Sequence, residues 1–240
     1  MVDSTEIDFD GASLPVLFEL LNRPQSQIRA DAACAIGDRL RTCELQQLEV
    51  HMQEKLAQML ADEAAAVRFE AAITLALAKD KRATDELIKA LNSSALRLDA
   101  IRALGTSGDE RALPTLLNIL NRRFLMPWAD KLQAAAALCA LGDLAGAQYL
   151  QEKLASRRMG ERAAAIHFLG ESKHPQARAI LEQLIVDSSE PLRDVAVRAI
   201  GLLQDPQVAQ VLIETRVNAD TELKDDIDQA LTKLGIKTSA

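Results

Sequence analysis

Aromatic residues are scarce in this sequence of 240 residues and make up only 3% of it. Glycine and proline are also few, with 10 and 7 residues. β-Sandwiches and β-barrels need aromatic and β-branched strands joined by many turns. The composition therefore argues against both classes, while 48% hydrophobic residues are enough to bury a core.

Positively charged residues are fewer than negatively charged ones: the sequence has 28 Lys and Arg and 35 Asp and Glu, for a net charge of −7. A negative chain is repelled by nucleic acid and by anionic membranes, so we expect neither as a partner. No stretch approaches the roughly 18 apolar residues that a membrane span requires. Residues 1–12 are acidic, do not resemble a signal peptide, and are expected to be loose.

The sequence also lacks recognisable catalytic and metal-binding motifs. The cysteines, Cys34, Cys43 and Cys139, are odd in number and have no disulfide spacing, which favours a cytoplasmic location. There is no phosphate-binding loop, no H-E-x-x-H, no C-x-x-C and no G-x-S-x-G. We predict no catalytic residue, no metal site and no cofactor.

A nine-residue pattern, R-x-x-A-x-x-x-[LI]-G, recurs in seven copies, some of them imperfect. The first copy ends at Gly37 and the last at Gly235, so the six intervals average 33 residues. The copies occupy residues 29–37, 68–76, 97–105, 134–142, 162–170, 193–201 and 227–235. An amphipathic stretch precedes each copy, and both stretches have helical period. The repeats therefore predict about seven antiparallel helix pairs that stack over residues 13–235, followed by a tail at 236–240.

Two residues of the pattern predict how the helices pack. The small residue three positions after the arginine should let two helices approach closely. The glycine that ends each copy suits a left-handed C-cap, which would stop the second helix sharply.

The pattern resembles the HEAT repeat. An aspartate lies six residues before the arginine at Asp62 and Arg68 and again at Asp187 and Arg193, and a hydrophobic residue precedes each of these arginines. The short unit and its Leu-Gly ending look most like the subclass named after phycobilisome lyases. The resemblance implies an all-α fold, a single right-handed α-solenoid, in which the aspartates and arginines form a structural ladder between adjacent repeats.

The resemblance further implies that the second helices line a concave face. The position five residues after the arginine would then place Cys139, His167 and Arg198 on three successive repeats, with Arg102 in the same column. These side chains could form a ligand or thiol site, or they could be half-exposed side chains without a binding role. Asp31, Glu70 and Asp99, two residues after the arginine, could attract a basic peptide or simply be solvated.

The fourth copy carries an insertion, residues 121–133, with the composition of a protein interface. An aromatic and methionine cluster lies beside arginines there, and the equivalent turn of the next copy adds two more arginines. These candidate partner-binding residues are Arg122, Arg123, Phe124, Met126, Trp128, Arg157 and Arg158. Alternatively, the rings fold back on a neighbouring helix and the arginines complement helix dipoles.

The sequence thus predicts a non-catalytic scaffold that binds another protein or peptide through its concave groove and the insertion edge of repeat four. The alternative, implied by the family resemblance, is a bilin lyase or lyase-accessory subunit, with a bilin as ligand. HEAT-like DNA glycosylases are a third class, but they need a basic groove, which the net charge opposes.

Overall fold

A computed structural model describes residues 7–42, 44–122, 124, 126–172 and 176–236. The regular structure in these residues consists of helices alone, which confirms the all-α prediction. The first helices of the seven pairs are Leu14–Leu20 (α1), Val50–Met59 (α3), Thr84–Ala90 (α5), Leu113–Asn121 (α7), Leu144–Lys153 (α9), Ala177–Val186 (α11) and Ala209–Val217 (α13). Within the described chain, no helix is both long enough and apolar enough to cross a membrane.

The second helices carry the repeated pattern, as predicted. They are Ser26–Arg41 (α2), Ala65–Leu77 (α4), Arg97–Ser107 (α6), Trp128–Ala140 (α8), Met159–Glu171 (α10), Arg193–Ile200 (α12) and Thr221–Lys233 (α14). Short 3₁₀ turns at Lys81–Ala83, Glu110–Ala112 and Pro206–Val208 lead into α5, α7 and α13.

The chain divides into two compact units, Met1–Thr115 and Leu116–Ala240, with the boundary inside α7. In the first unit α4 packs between α2 and α6, and each first helix packs on its own second helix. In the second unit α8, α10, α12 and α14 pack in sequence, and α9, α11 and α13 pack on the second helices of their pairs. Contact between successive second helices is therefore the recurring packing feature of both units.

The small residue of the pattern is buried in every copy. All seven are alanines with at most 3% of their surface exposed: Ala32, Ala71, Ala100, Ala137, Ala165, Ala196 and Ala230. A methyl side chain loses no rotamer entropy on burial and keeps two helix axes close together. Leucines and isoleucines fill the remaining space, and Ile36, Leu104, Leu169 and Ile200 are fully buried.

The prediction that the pattern glycines form left-handed helix ends was wrong for most copies. Gly37, Gly105 and Gly170 lie inside helices, and Gly201 ends α12 in a right-handed conformation with φ −65°. Contact with the next second helix explains the residue type instead. A Cβ atom on Gly170 would lie 2.2 Å from the carbonyl oxygen of Ala199 in α12.

The same kind of contact occurs between α2 and α4 in the first unit. A Cβ atom on Gly37 would lie 2.7 Å from the hydroxyl oxygen of Thr74. The Thr74 hydroxyl is fully buried and donates a 2.8 Å hydrogen bond to the carbonyl oxygen of Ala33. Glycine on one helix thus makes room for a polar bond to the neighbouring helix.

Substitution of Gly170 tests this explanation. We expect Gly170→Ala to lower the free energy of unfolding by roughly 1–3 kcal/mol, because the new methyl group meets backbone atoms that cannot rotate away. Gly160→Ala is the matched control, since Gly160 lies in the same helix and a Cβ atom there has no neighbour within 4 Å. Urea denaturation of both variants measures the difference. Equal stability of the two variants would contradict the proposed contact.

Candidate functional site

Four of the arginines that open the copies are structural residues that bond the preceding turn, namely Arg29, Arg68, Arg97 and Arg193. The Nη1 atom of Arg29 donates to the carbonyl oxygens of Arg23 and Pro24, both at 2.8 Å. Arg97 reaches Leu91 at 2.8 Å in the same way, and Arg193 reaches Ile185 at 2.5 Å. These guanidinium groups satisfy carbonyl groups that lack helical partners at the end of the first helix.

Three of the arginines that open the copies form ion pairs with the next repeat. Arg29 makes two 2.8 Å hydrogen bonds to the carboxylate of Asp62, and both side chains are at most 10% exposed. Arg68 binds Glu86 at 2.9 Å, and Arg162 binds Glu190. Each such arginine–carboxylate pair is one rung of the predicted ladder, so Asp62 and Arg68 belong to two consecutive rungs.

Asp187 makes no rung among the described residues. It is exposed and accepts hydrogen bonds from the amide and hydroxyl groups of Ser189, at 2.9 and 2.6 Å. Glu190, three residues later, takes the position that the resemblance gave to Asp187. Glu86 and Glu190 were not predicted, because the resemblance places an aspartate at one fixed distance from the arginine.

Aspartates at the starts of first helices form a second set that the sequence analysis missed. Asp80, Asp109, Asp143 and Asp205 each accept a hydrogen bond from the backbone N–H two residues later. Asp109 also accepts from the buried Thr84 hydroxyl at 2.6 Å. Burial opposes ionisation of Asp109, but bonds from Arg111 and Thr84 lower its pKa to about 2. The recurring Asp-x-Arg at 80–82 and 109–111 was the available sequence pattern.

In the second unit, the side chains of the column expected on the concave face do not meet at a common site. Arg198 pairs with Asp194 and Asp226, both at 2.6 Å, and His167 lies 3.3 Å from Glu171. Cys139 lies against α9, where a Cβ atom on Gly146 would be 2.9 Å from its sulfur. In the first unit, Arg102 is exposed and 3.6 Å from Asp99.

The chemistry of this column is correspondingly limited. Burial raises the pKa of the Cys139 thiol to about 12, so it is protonated at neutral pH and is a poor nucleophile. Within the described residues, no group of three His, Cys, Asp or Glu side chains is placed to hold a metal ion.

The acidic residues of the first unit lie on α2, α4 and α6. Asp31 accepts a 2.7 Å bond from Gln27, and Asp38 pairs with Arg41 and lies 3.8 Å from the sulfur of Cys34. Burial raises the pKa of Glu70, and burial together with the nearby Glu70 and Asp38 raises that of Cys34 to about 12. These contacts engage Asp31 and Asp38 locally on the helix surface.

The insertion residues lie where second helices begin in the second unit. We call this region the turn edge, comprising residues 121–128, 154–159, 186–192 and 217–221. Arg123 and Leu125 belong to it in sequence but lie outside the described residues. Helices α8, α10, α12 and α14 begin at this edge, and α9, α11 and α13 end there.

Large apolar side chains are exposed on the turn edge. Phe124 is 82% exposed, Trp128 41% and Met159 48%, while Met126 is half-buried. Trp128 opens α8 and Met159 opens α10, and these two helices pack together. Met159 was not singled out from the sequence, because a methionine at a helix start gives no distinguishing pattern.

Three arginines accompany these apolar side chains. Arg122, Arg157 and Arg158 are all exposed. None of them is within ion-pair distance of a described acid, and Arg122 only donates a 3.3 Å bond to Asn118. This distinguishes them from Arg29, Arg68, Arg162 and Arg198, which are all paired.

A buried carboxylate anchors the turn that carries two of these arginines. Glu161 accepts a 2.8 Å bond from the Ser156 hydroxyl and lies 3.3 Å from the Lys153 ammonium group. The Ser156 oxygen in turn accepts from the N–H of Arg158 at 3.2 Å. Burial opposes ionisation of Glu161, but its bonds to Ser156 and Lys153 lower its pKa below the ordinary value. The turn backbone is thus fixed while both arginine side chains extend into solvent.

A cleft of about 300 Å³ lies in the second unit, between α9 and α11. Leu144, Leu169 and Ile180 form apolar walls, and Gln148 and Gln151 supply amide groups. Its volume is at the lower end of the range for small-molecule pockets, and its lining contains no ionisable group among the residues that the structure describes.

Stacked helix pairs joined by arginine–carboxylate rungs define this chain as an α-solenoid repeat protein. A family model for HEAT repeats matches residues 53–139 and 147–232. These ranges cover more than half of the sequence, and the chain belongs to the HEAT-repeat family.

Two solved structures show how the fold compares. The complex of CpcE and CpcF of phycocyanin lyase from Nostoc sp. PCC7120 is 19% identical over 100% of this chain and 94% of that one, with a TM-score of 0.58. Human deoxyhypusine hydroxylase is 18% identical over 92% and 96%, with a TM-score of 0.40. At these identities the first comparison shows a shared fold and the second carries no argument. No curated protein matched the sequence.

The Arg29–Asp62 rung yields a stability prediction. Asp62→Ala should lower the free energy of unfolding at pH 7 by roughly 3 kcal/mol, because it leaves the buried Arg29 without its carboxylate partner. Asp187→Ala is the control and should change stability little, because Asp187 is exposed and bonded only to Ser189.

The effect of Asp62→Ala should also depend on pH. The hydrogen bond from Arg29 lowers the pKa of Asp62 in the folded state, against the opposing effect of burial. The rung therefore contributes fully above the unfolded pKa, near 4, and is lost as pH falls through the lowered folded value. Urea titrations from pH 7 towards pH 2 should show wild type and variant converging. A difference that stays constant with pH would rule out this ion pair as its source.

Proposed function

We propose that this chain is a protein-binding HEAT-repeat scaffold whose docking surface is the turn edge of the second unit. The observation that carries the proposal is the exposure of Phe124, Trp128 and Met159 beside three arginines that pair with no described acid. Aromatic, methionine and arginine side chains are the types enriched at the centres of protein interfaces. A cluster of large exposed apolar groups is costly in a soluble domain unless a partner covers it.

The anchoring of the turn supports the same proposal. Binding costs free energy when a loop must become ordered, and a turn already fixed by Glu161 and Ser156 avoids part of that cost. The arginine side chains provide long, adaptable donors on a rigid backbone. We expect the partner to be a protein or peptide and the location to be cytoplasmic, which the free cysteines Cys34 and Cys139 favour.

The face formed by the second helices is a less favourable docking surface. His167 and Arg198 already bond to neighbouring carboxylates, so a ligand would have to compete with existing pairs. We propose that this groove contributes secondary contacts, in which the acidic residues Asp31, Glu70 and Asp99 favour basic groups of a partner.

Partner capture with two variants tests the docking surface. The edge variant Phe124→Ser/Met159→Gln removes two exposed apolar side chains from the turn edge. The control, Leu144→Ser, removes an equally exposed leucine at the start of α9, on the opposite edge of the same unit. Because all three residues are exposed, we expect unchanged melting temperatures for both variants.

The immobilised proteins would be compared in pull-downs from the source cell lysate with quantitative mass spectrometry. We expect a protein that wild type and Leu144→Ser retain, and whose recovery with the edge variant falls at least about tenfold, the factor that a loss of 1.4 kcal/mol produces. A partner held equally by the edge variant would contradict the proposed surface.

The likeness to the phycocyanin lyase complex over the whole chain supports a second candidate function, a bilin lyase or lyase-accessory subunit. Incubation with phycocyanobilin, an open-chain tetrapyrrole, distinguishes the two functions. A scaffold should give no induced circular dichroism at the bilin absorbance. An induced signal that saturates at one bilin per chain and weakens in His167→Ala would favour the lyase function.

A further inference from the structure

We infer that the segment seated on the turn edge is an acidic amphipathic helix, with leucine-like side chains on one face and carboxylates flanking them. This inference rests on the proposed function, because it names the chemistry of the partner at the same surface. Its support comes from local charge and from the spacing of the exposed apolar residues.

Within the turn edge, the turns of repeats four and five, residues 121–128 and 154–159, contain arginines and no acid, so their charge is opposite to that of the chain. Arg122, Arg157 and Arg158 are exposed and make no ion pair with a described residue, whereas the whole chain carries a net charge of −7. Two acids of this region are already bonded within the chain. Glu161 binds Lys153 and Ser156, and Glu190 binds Arg162. Asp130 is also buried.

The exposed acids of the turn edge lie in its other two turns, Asp187 in residues 186–192 and Asp220 in residues 217–221. Glu152 lies at the end of α9, and Asp187 is bonded to Ser189. The basic surface therefore extends over the turns of repeats four and five and ends at repeat six. Carboxylates of a partner could pair with the three arginines without first breaking an ion pair of this chain.

The helix starts at this edge add little to the attraction for negative charge. Neither α8, which follows Pro127, nor α10, which follows Arg158, has a hydrogen bond from a capping side chain at its start. Their first turns contain the buried carboxylates Asp130 and Glu161, which offset part of the positive end of each helix dipole. The starts of α2, α4, α6 and α12 also lack a capping side chain, whereas α14 starts with the side chain of Asp220 bonded to the N–H of Leu223 at 2.9 Å.

The spacing of the apolar side chains indicates a helical partner. Trp128 and Met159 open two packed helices, and the axes of packed helices lie about 8–10 Å apart. Residues seven positions apart on a helix are about 10.5 Å apart, which matches that distance. A partner helix with apolar residues at positions i and i+7 could therefore contact both, with its flanking carboxylates near the arginines.

Trp128 provides a direct reporter, because it is the single tryptophan of the chain. The probe is a synthetic 18-residue helical peptide without tryptophan, with leucines at i, i+3, i+4 and i+7 repeats and glutamate and alanine elsewhere. Two matched peptides replace every glutamate with glutamine or with lysine. Titration of the full chain is followed by the emission maximum of Trp128 and by its quenching with acrylamide.

We expect the glutamate peptide to shift the Trp128 emission to shorter wavelength, to protect it from acrylamide, and to bind more weakly as salt rises. Arg157→Gln/Arg158→Gln should weaken binding about tenfold, which corresponds to about 1.4 kcal/mol. The control Arg102→Gln, an exposed arginine of the first unit, should leave the affinity unchanged. Both variants should keep the wild-type melting temperature, since these side chains are exposed.

Equal binding of the glutamine or lysine peptide would overturn the inference, and so would the absence of any emission change with the glutamate peptide. The proposed function is decided separately by the capture experiment, which does not depend on the charge of the partner. If that experiment succeeds and crosslinking to Trp128 and Arg157 identifies a basic or uncharged segment, the docking surface stands and the acidic helix is excluded.

Discussion

The backbone contact between successive second helices is the constraint on which the rest of this structure depends. In the second unit Gly170 lies so close to Ala199 that no side chain fits at that position of α10, and in the first unit Gly37 approaches Thr74 in a comparable way. Helices this close cannot be separated by large side chains. The pattern therefore fixes small residues on the second helices, and the bulky leucines of the first helices, such as Leu87 and Leu181, complete the core.

Close stacking brings the turns of neighbouring repeats within reach of one another, which determines where the charges are used. Arg29, Arg68 and Arg162 each bond a carboxylate of the following repeat, and the aspartates at helix starts bond their own backbone. Most of the ionisable residues in such positions therefore stabilise the stack. Arg122, Arg157 and Arg158 on the turn edge are exposed and pair with no acid among the described residues, which leaves them available to a partner.

The helical pairs were predictable from the sequence because apolar period and the buried alanine recur in every copy. The rungs were only partly predictable, since a rung needs a carboxylate at a point in space, and the chain reaches that point from Asp62, Glu86 or Glu190 at different distances along the sequence. The glycine role was misassigned because Gly142 and Gly235, which do have positive φ, share their pattern position with Gly37 and Gly170, which lie inside helices. The composition of the insertion drew attention to Trp128, but the exposure of Phe124 and Met159 depends on the packing around them.

Helices and turns differ in how freely their residues can change, and this is why we propose the turn edge rather than the helix faces for recognition. A substitution on a second helix must respect a contact such as Gly170 to Ala199, whereas the side chains of Phe124 or Arg157 touch little of the stack and can change without disturbing it. A fixed backbone is still needed for a specific interface, and the Glu161 network supplies it at the turn of repeat five. Stability thus resides in the helix contacts, and the proposed function assigns specificity to the exposed turn residues, so the two properties could be altered separately in this chain.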